Sequence, residues 1–272
     1  MKHGLCWGIV ALLAAVLSGC APSASTTPVD TAPVDYSHLR ADDIAFQLDE
    51  GPGSPMPPGS EFLLPQVSVY GDGRVVRLVD DPANPYRWPV LTQQTLSPVG
   101  MQRLLGAARD AGLAEATDFG DTPNLVDGSV TTFRLLDRKT EVANMFNNGT
   151  APAARERLRS FVTRVKDLDR WMGAEVSSPV PYSYSKAALF VWPQDPGKGE
   201  TYPAWPLADL GGGIPQERGG LCTVVDAVSL DRVRNAQSEP RLVSFWQSHG
   251  ASYAVTVRPL LPGETDCASV VG

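Results

Sequence analysis

Apolar and polar positions along this chain change rhythm several times, and each rhythm predicts an element. Residues 44–48 and 62–69 alternate with period two, as strands with one buried face do, and a Pro/Gly-rich loop at 51–60 separates them. Tyr70-Gly71-Asp72-Gly73 then leads into a returning run at 74–79. Asp72-Gly73 fits a type I′ turn, which needs positive φ at both central positions, so 62–79 is expected to form a hairpin. Ser97-Pro98 reads as an N-cap followed by proline at the first helical position, where the missing N–H costs nothing. Met101, Leu104, Leu105 and Ala108 then fall on one helical stripe, and Gly112 is expected to end that helix.

The pattern recurs. Residues 130–136 and 141–146 flank the polar turn Asp137-Arg138-Lys139, and Thr150 is expected to cap a helix starting near Pro152. In that helix Leu158, Phe161, Val162, Val165 and Leu168 face inward, while Arg155, Arg159 and Asp169 face water. The order ββα-ββα predicts an α+β fold, an antiparallel sheet with both helices packed on one face. Ser177-Ser178-Pro179-Val180-Pro181 reads as a boundary to a smaller α+β unit. Its strands are expected at 187–192 and 222–225, with a short helix from a Ser229 cap through Val233. A closing hairpin pairs 242–247 with 253–258 across Ser248-His249-Gly250, with Tyr253, Val255 and Val257 on one face. The irregular stretch 193–220 is long for a loop, so it either serves function or hides elements.

The start of the chain obeys a different rule. Met1-Lys2-His3 is basic, residues 4–16 carry no charge, and Leu17-Ser18-Gly19-Cys20 follows. The run is shorter than the roughly 20 apolar residues a spanning helix needs. It resembles the signal peptide and lipobox of bacterial lipoproteins. That resemblance implies cleavage between Gly19 and Cys20, with a diacylglyceryl group on Cys20. Two or three acyl chains, at about 0.8 kcal/mol per buried methylene, anchor stably. The alternative is an ordinary signal cut at small residues, with Cys20 a bystander. Residues 21–41 are rich in Ser, Thr, Pro and Ala, a composition too poor in large apolar groups to fold and suited to O-glycosylation. The expected organisation is a signal peptide at 1–19, lipidated Cys20 and flexible tether at 20–41, and units at 42–176 and 177–272.

Composition narrows the partners. The chain has 23 basic and 30 acidic residues, a formal charge of −7; residues 1–19 hold one lysine and no acid, so the remainder carries −8. An acidic surface repels nucleic acid, and no nucleic-acid partner is expected. Of four cysteines, Cys6 leaves with the signal and Cys20 is taken by lipid. Cys222 and Cys267 remain, and in an oxidising compartment a disulfide between them is the simplest expectation, adding about 2–4 kcal/mol. A redox-active pair is the alternative, but no C-x-x-C motif is present.

Catalytic patterns are scarce. Only His38 and His249 survive processing, one in the tether and one at a hairpin turn, and neither serves a nucleophile motif. Ser183-Tyr184-Ser185-Lys186 matches S-x-x-K, but the residues after it read as a strand, and neither S-D-N nor K-T-G follows. Asp80-Asp81, Glu115 with Asp118, and Asp118 with Asp121 are candidate carboxylate pairs for glycoside hydrolysis, or simply solvated surface acids. Gly211-Gly212-Gly213 leads into Ile214-Pro215 and lacks the helix of a phosphate loop. No metal site and no cofactor is expected. Trp192, Tyr202 and Trp205 sit among prolines, either as a binding surface for a peptide, glycan or protein, or as core rings closing the second unit.

With these elements placed, the chain resembles a group of uncharacterised actinobacterial lipoproteins. The resemblance lies in the lipobox, Pro65 to Val76 with its Tyr70-Gly71-Asp72-Gly73 turn, Leu96-Ser97-Pro98, Cys222-Thr223-Val224-Val225-Asp226 and Val257 to Glu264. It carries no activity to any residue here. The expectation is a lipid-anchored protein on the extracytoplasmic face of the cell membrane, non-enzymatic, binding an envelope protein or glycan. A cell-wall or glycan hydrolase using Asp or Glu, and a structural accessory of a secretion or transport complex, are the alternatives.

Overall fold

Period-two alternation becomes two antiparallel sheets. The computed structural model describes residues 32–52, 64–79, 88–120, 128–146, 152–197, 200–217, 219–237, 241 and 243–271. Gly19, Cys20, Thr150, Asp80, Asp81 and Asp121 lie outside them. Pro33–Gly272 gathers into one compact unit. Its first sheet comprises β1 (Ile44–Pro52), β2 (Val67–Tyr70), β3 (Arg74–Leu78), β4 (Leu91–Thr95), β5 (Ser129–Leu135), β6 (Arg138–Ala143) and β7 (Val180–Pro181). These lie in the order β6-β5-β1-β2-β3-β4-β7. The second sheet comprises β8 (Lys186–Pro193), β9 (Ile214–Pro215), β10 (Leu221–Asp226), β11 (Val243–Ser248) and β12 (Ala251–Pro259), in the order β11-β12-β8-β10-β9. Every neighbouring pair is antiparallel.

One face of the first sheet carries α1 (Pro98–Asp110), α2 (Ala153–Lys166) and the short α3 (Leu168–Met172). Met101, Leu104 and Leu105 of α1 and Leu158, Phe161 and Val165 of α2 share a core with Phe46, Leu48, Val69, Val75 and Phe133 of the strands. Phe46 and Phe161 meet edge to face at 5.4 Å, the geometry that ring quadrupoles favour. Thus the α+β architecture with helices on one face is what the structure shows. In the second sheet Leu189, Val191, Val255 and Val257 pack on Leu230 and Val233 of α4 (Ala227–Asn235). On its other face Ala188, Phe190 and Cys222 pack against Leu260 and Cys267, which begins α5 (Cys267–Val271).

Local chemistry moves several boundaries. Only Gly73 has positive φ (86°) in the β2–β3 loop, so Gly71-Asp72-Gly73 is a three-residue loop with a left-handed glycine, not a type I′ turn. A side chain at Gly73 would also strike the Leu96 carbonyl. The two-residue turn occurs instead at His249-Gly250, where both φ values are positive (49° and 81°). Between β5 and β6 the turn is Leu136-Asp137, because Leu135 already pairs with Arg138. Asp226, not Ser229, caps α4: its carboxylate accepts the Ser229 N–H at 2.8 Å, so the helix starts two residues earlier than Ser229.

The tether and the boundary at 177 shift as well. Val34, Tyr36 and Leu39 pack on the first core, and Gln102 both donates to the Val34 carbonyl (2.9 Å) and accepts its N–H (3.0 Å). Residues 33–41 therefore belong to the folded body. β7 lies beyond residue 177 yet pairs with β4, Thr92 opposite Pro181. Proline is tolerated there because β7 is an edge strand.

Candidate functional site

The face of the first sheet turned away from the helices is split by its sequence. Tyr70, Val76 and Leu91 form an apolar patch with Leu64 and Leu261. Beside it, Gln47 opposes Arg134 and Asp49 opposes Thr132 across the β1–β5 ladder, and directly opposed residues share a face. These polar residues line a cleft of 1160 Å³. Its other walls come from Arg258 at the end of β12, Pro262 to Thr265, Ser269 of α5, and Glu217, with His38 to Asp43 at the rim.

Arg258 and Glu264 shape one wall. The guanidinium donates to both carboxylate oxygens, at 2.5 and 2.8 Å, and Glu264 Oε2 also accepts the Leu261 N–H at 2.8 Å. The Arg258 side chain is 6% exposed. Bidentate geometry with a further backbone donor is what makes such a buried pair tolerable. Arg258 Nε, closed off from solvent, nevertheless has no hydrogen-bond partner among the described residues. Asp49 differs from Glu264: among the described residues no protein donor bonds its carboxylate. Burial pushes its carboxyl above the usual carboxylate range, Glu50 adds to the push, and Arg258 and Lys139 oppose it. At the rim Arg40 pairs with Asp43 at 2.9 Å, holding that carboxyl below its ordinary value, and Arg74 contacts Asp42. Burial also raises the Tyr70 and Tyr182 phenols, and the Tyr182 hydroxyl donates to the Leu260 carbonyl at 3.2 Å.

The residues singled out from sequence scatter. Cys222 and Cys267 are bonded, with Cα atoms 6.0 Å apart, and are almost fully buried. Trp192 and Trp205 correct the aromatic-surface expectation, being 7% and 9% exposed. Trp205 meets Trp246 edge to face at 5.2 Å in the α4 core, and Trp192 stacks on Phe190 on the opposite face of the sheet. Gly220 makes room for the Trp192 indole, which a Cβ there would strike. Tyr202 is half-buried and stacks on Phe245, so the three rings do not form one surface. His249 sits exposed in its turn, whereas His38, read as tether, reaches the rim of the cleft. Lys186 opens β8, so Ser183 and Lys186 do not share a helical turn. Glu115 and Asp118 are exposed, and Asp118 bonds the Gly120 N–H at 2.7 Å. Gly211 to Gly213 follow Asp209, which accepts the Gly211 N–H as a cap.

Asp49, Arg134 and Arg258 were not reached from sequence. For Asp49 a signal existed: Gln47 and Asp49 alternate with Phe46 and Leu48, which gives β1 a polar face where a buried strand would be apolar. No protein-family model, curated protein or solved structure matches the chain.

Proposed function

We propose that the chain is a lipid-anchored, extracytoplasmic binding protein that holds a small polar ligand in the cleft between its two sheets, without turning it over. The observation that supports this reading is the cleft itself. It is of ligand size and carries half-buried and buried charges on both walls, from β1 and β5 on one side and Arg258 on the other. The anchor rests on the pattern ending in Gly19-Cys20. Cys20→Ala is expected to move the protein from the membrane fraction to the soluble one; retention in the membrane would sink the anchor.

Binding is tested in living cells. A benzophenone amino acid at Gln47, inside the cleft, is expected to give a reproducible adduct by mass spectrometry. The same probe at Arg157, exposed on α2, is expected to give none. Equal labelling at both positions, or labelling at Arg157 alone, would remove the cleft from the function and favour a structural accessory. A second reading, a glycan hydrolase with Asp49 as general acid, has the raised carboxyl in its favour. Release of reducing ends from peptidoglycan by the purified protein, abolished in Asp49→Asn, would replace binding with catalysis.

A further inference from the structure

Resting on that reading of the cleft, we propose that its ligand is a basic amino acid or the basic end of a short peptide, an ammonium-bearing molecule that also carries a carboxylate. The argument begins with which charges the protein already neutralises. Along the cleft Arg40 pairs with Asp43, Arg258 with Glu264, Lys139 with Glu141, and Asp42 with Arg74. That leaves Asp49, Asp137 and Glu217 on the negative side and Arg134 on the positive, with His38 at the rim, none with an ion-pair partner among the described residues. A ligand that completes this arrangement carries more positive than negative charge, and both kinds.

Position agrees with charge. Asp49 is half-buried on the sheet and, among the described residues, receives no hydrogen bond from a protein donor, so its ionised form lacks the compensation that a cationic donor supplies. Arg258, more than nine-tenths buried and held by its bidentate pair with Glu264, forms the facing wall. Asp49 and Arg258 line the same cleft. A ligand ammonium in the cleft would meet Asp49, and its carboxylate would meet Arg134. Arg134 stands diagonal to Asp49 in the ladder, a separation of roughly 7–8 Å that a ligand spans more readily than a direct contact. Other classes fit less well. An uncharged sugar compensates none of these charges, a dicarboxylate meets three unpaired acids, and a diamine leaves Arg134 unsatisfied.

Titration calorimetry on the full-length protein in detergent micelles tests this, with L-lysine, cadaverine, glutarate and maltotriose as probes. L-Lysine is expected to bind, with cadaverine weaker by at least about tenfold. Asp49→Asn is expected to weaken both by at least about tenfold, because a cation loses its counter-charge. Arg134→Gln is expected to weaken L-lysine and leave cadaverine unchanged. Thermal melts of each variant separate lost binding from lost fold. Binding of glutarate or maltotriose in preference to L-lysine overturns the ligand class, as does full L-lysine affinity in Asp49→Asn. If L-lysine fails while the Gln47 crosslink persists, the ligand class falls and the binding cleft stands; if that crosslink is also absent, both fall.

Discussion

Asp49 carries a cost that the protein's own contacts do not remove. Burial raises its carboxyl in the folded state, so the folded protein holds a proton that the unfolded chain would release. Stability from this group is fully present below the unfolded carboxylate range, about pH 4, and is lost as pH rises through the higher folded value. Asp49→Asn removes the charge and keeps the shape. Its melting temperature is expected to exceed the parent's at pH 7, the gap closing toward about pH 4. A variant less stable than the parent at pH 7 would mean that Asp49 has a stabilising partner. Functional groups are often held at such a loss, which is why this carboxylate, rather than the capped Asp226 or Asp209, marks a site. Trp205 is the opposite case. With its ring 5.2 Å from Trp246 and the α4 core around it, Trp205→Ala is expected to cost about 3–5 kcal/mol, read from denaturant midpoints. An unchanged midpoint would return Trp205 to the surface role that its proline-rich setting suggested.

Elements whose ends carry their own chemistry were legible in the sequence. α1 is the plainest: Ser97 Oγ accepts the Gly100 N–H at 3.1 Å, Pro98 occupies the first turn, and Gly112 follows the end with φ of 96°. Ser97 also donates to Glu175 across the chain. Ser97→Ala is therefore expected to lower stability by about 1–2 kcal/mol, the cap plus a lost side-chain bond. Loss of helical circular dichroism at a lower urea concentration would register it. Elements held only by distant partners were not legible. β4 reads LTQQT, and of its five residues only Leu91 and Gln94 are buried. Its place comes from β3 on one side and β7 on the other, and two-residue β7 has no periodicity to detect. The aromatic stretch left a core and a surface reading open for a related reason: prolines around Trp192 and Trp205 resemble an exposed loop, and only the second sheet shows what those rings cover.

At the scale of the molecule, the cleft joins residues far apart in the chain, Asp49 and Arg134 on one sheet with Arg258 and Glu264 leaving the other. No local pattern could announce that meeting, whereas the disulfide that supports it could be counted from four cysteines. Cys222 lies in β10 and Cys267 opens α5. The bond thus ties to the second sheet the segment that presents Glu264, Thr265 and Ser269 to the cleft. Replacing both cysteines with alanine is expected to lower stability by about 2–4 kcal/mol, a fall of roughly 4–16 °C in melting temperature. Where that loss appears distinguishes two physical effects. If the bond acts only by restricting the unfolded chain, native-state hydrogen exchange changes only for amides that need global unfolding. If it also holds the wall, amides at 264–269 exchange faster while those of β1 and β5 keep their relative protection. The second outcome is expected, because α5 is a single short turn whose covalent tie to β10 is its strongest attachment. L-Lysine affinity would then fall in the double variant although Asp49, Arg134 and Arg258 are untouched. Unchanged exchange at 264–269 would leave the disulfide a general staple with no part in shaping the cleft.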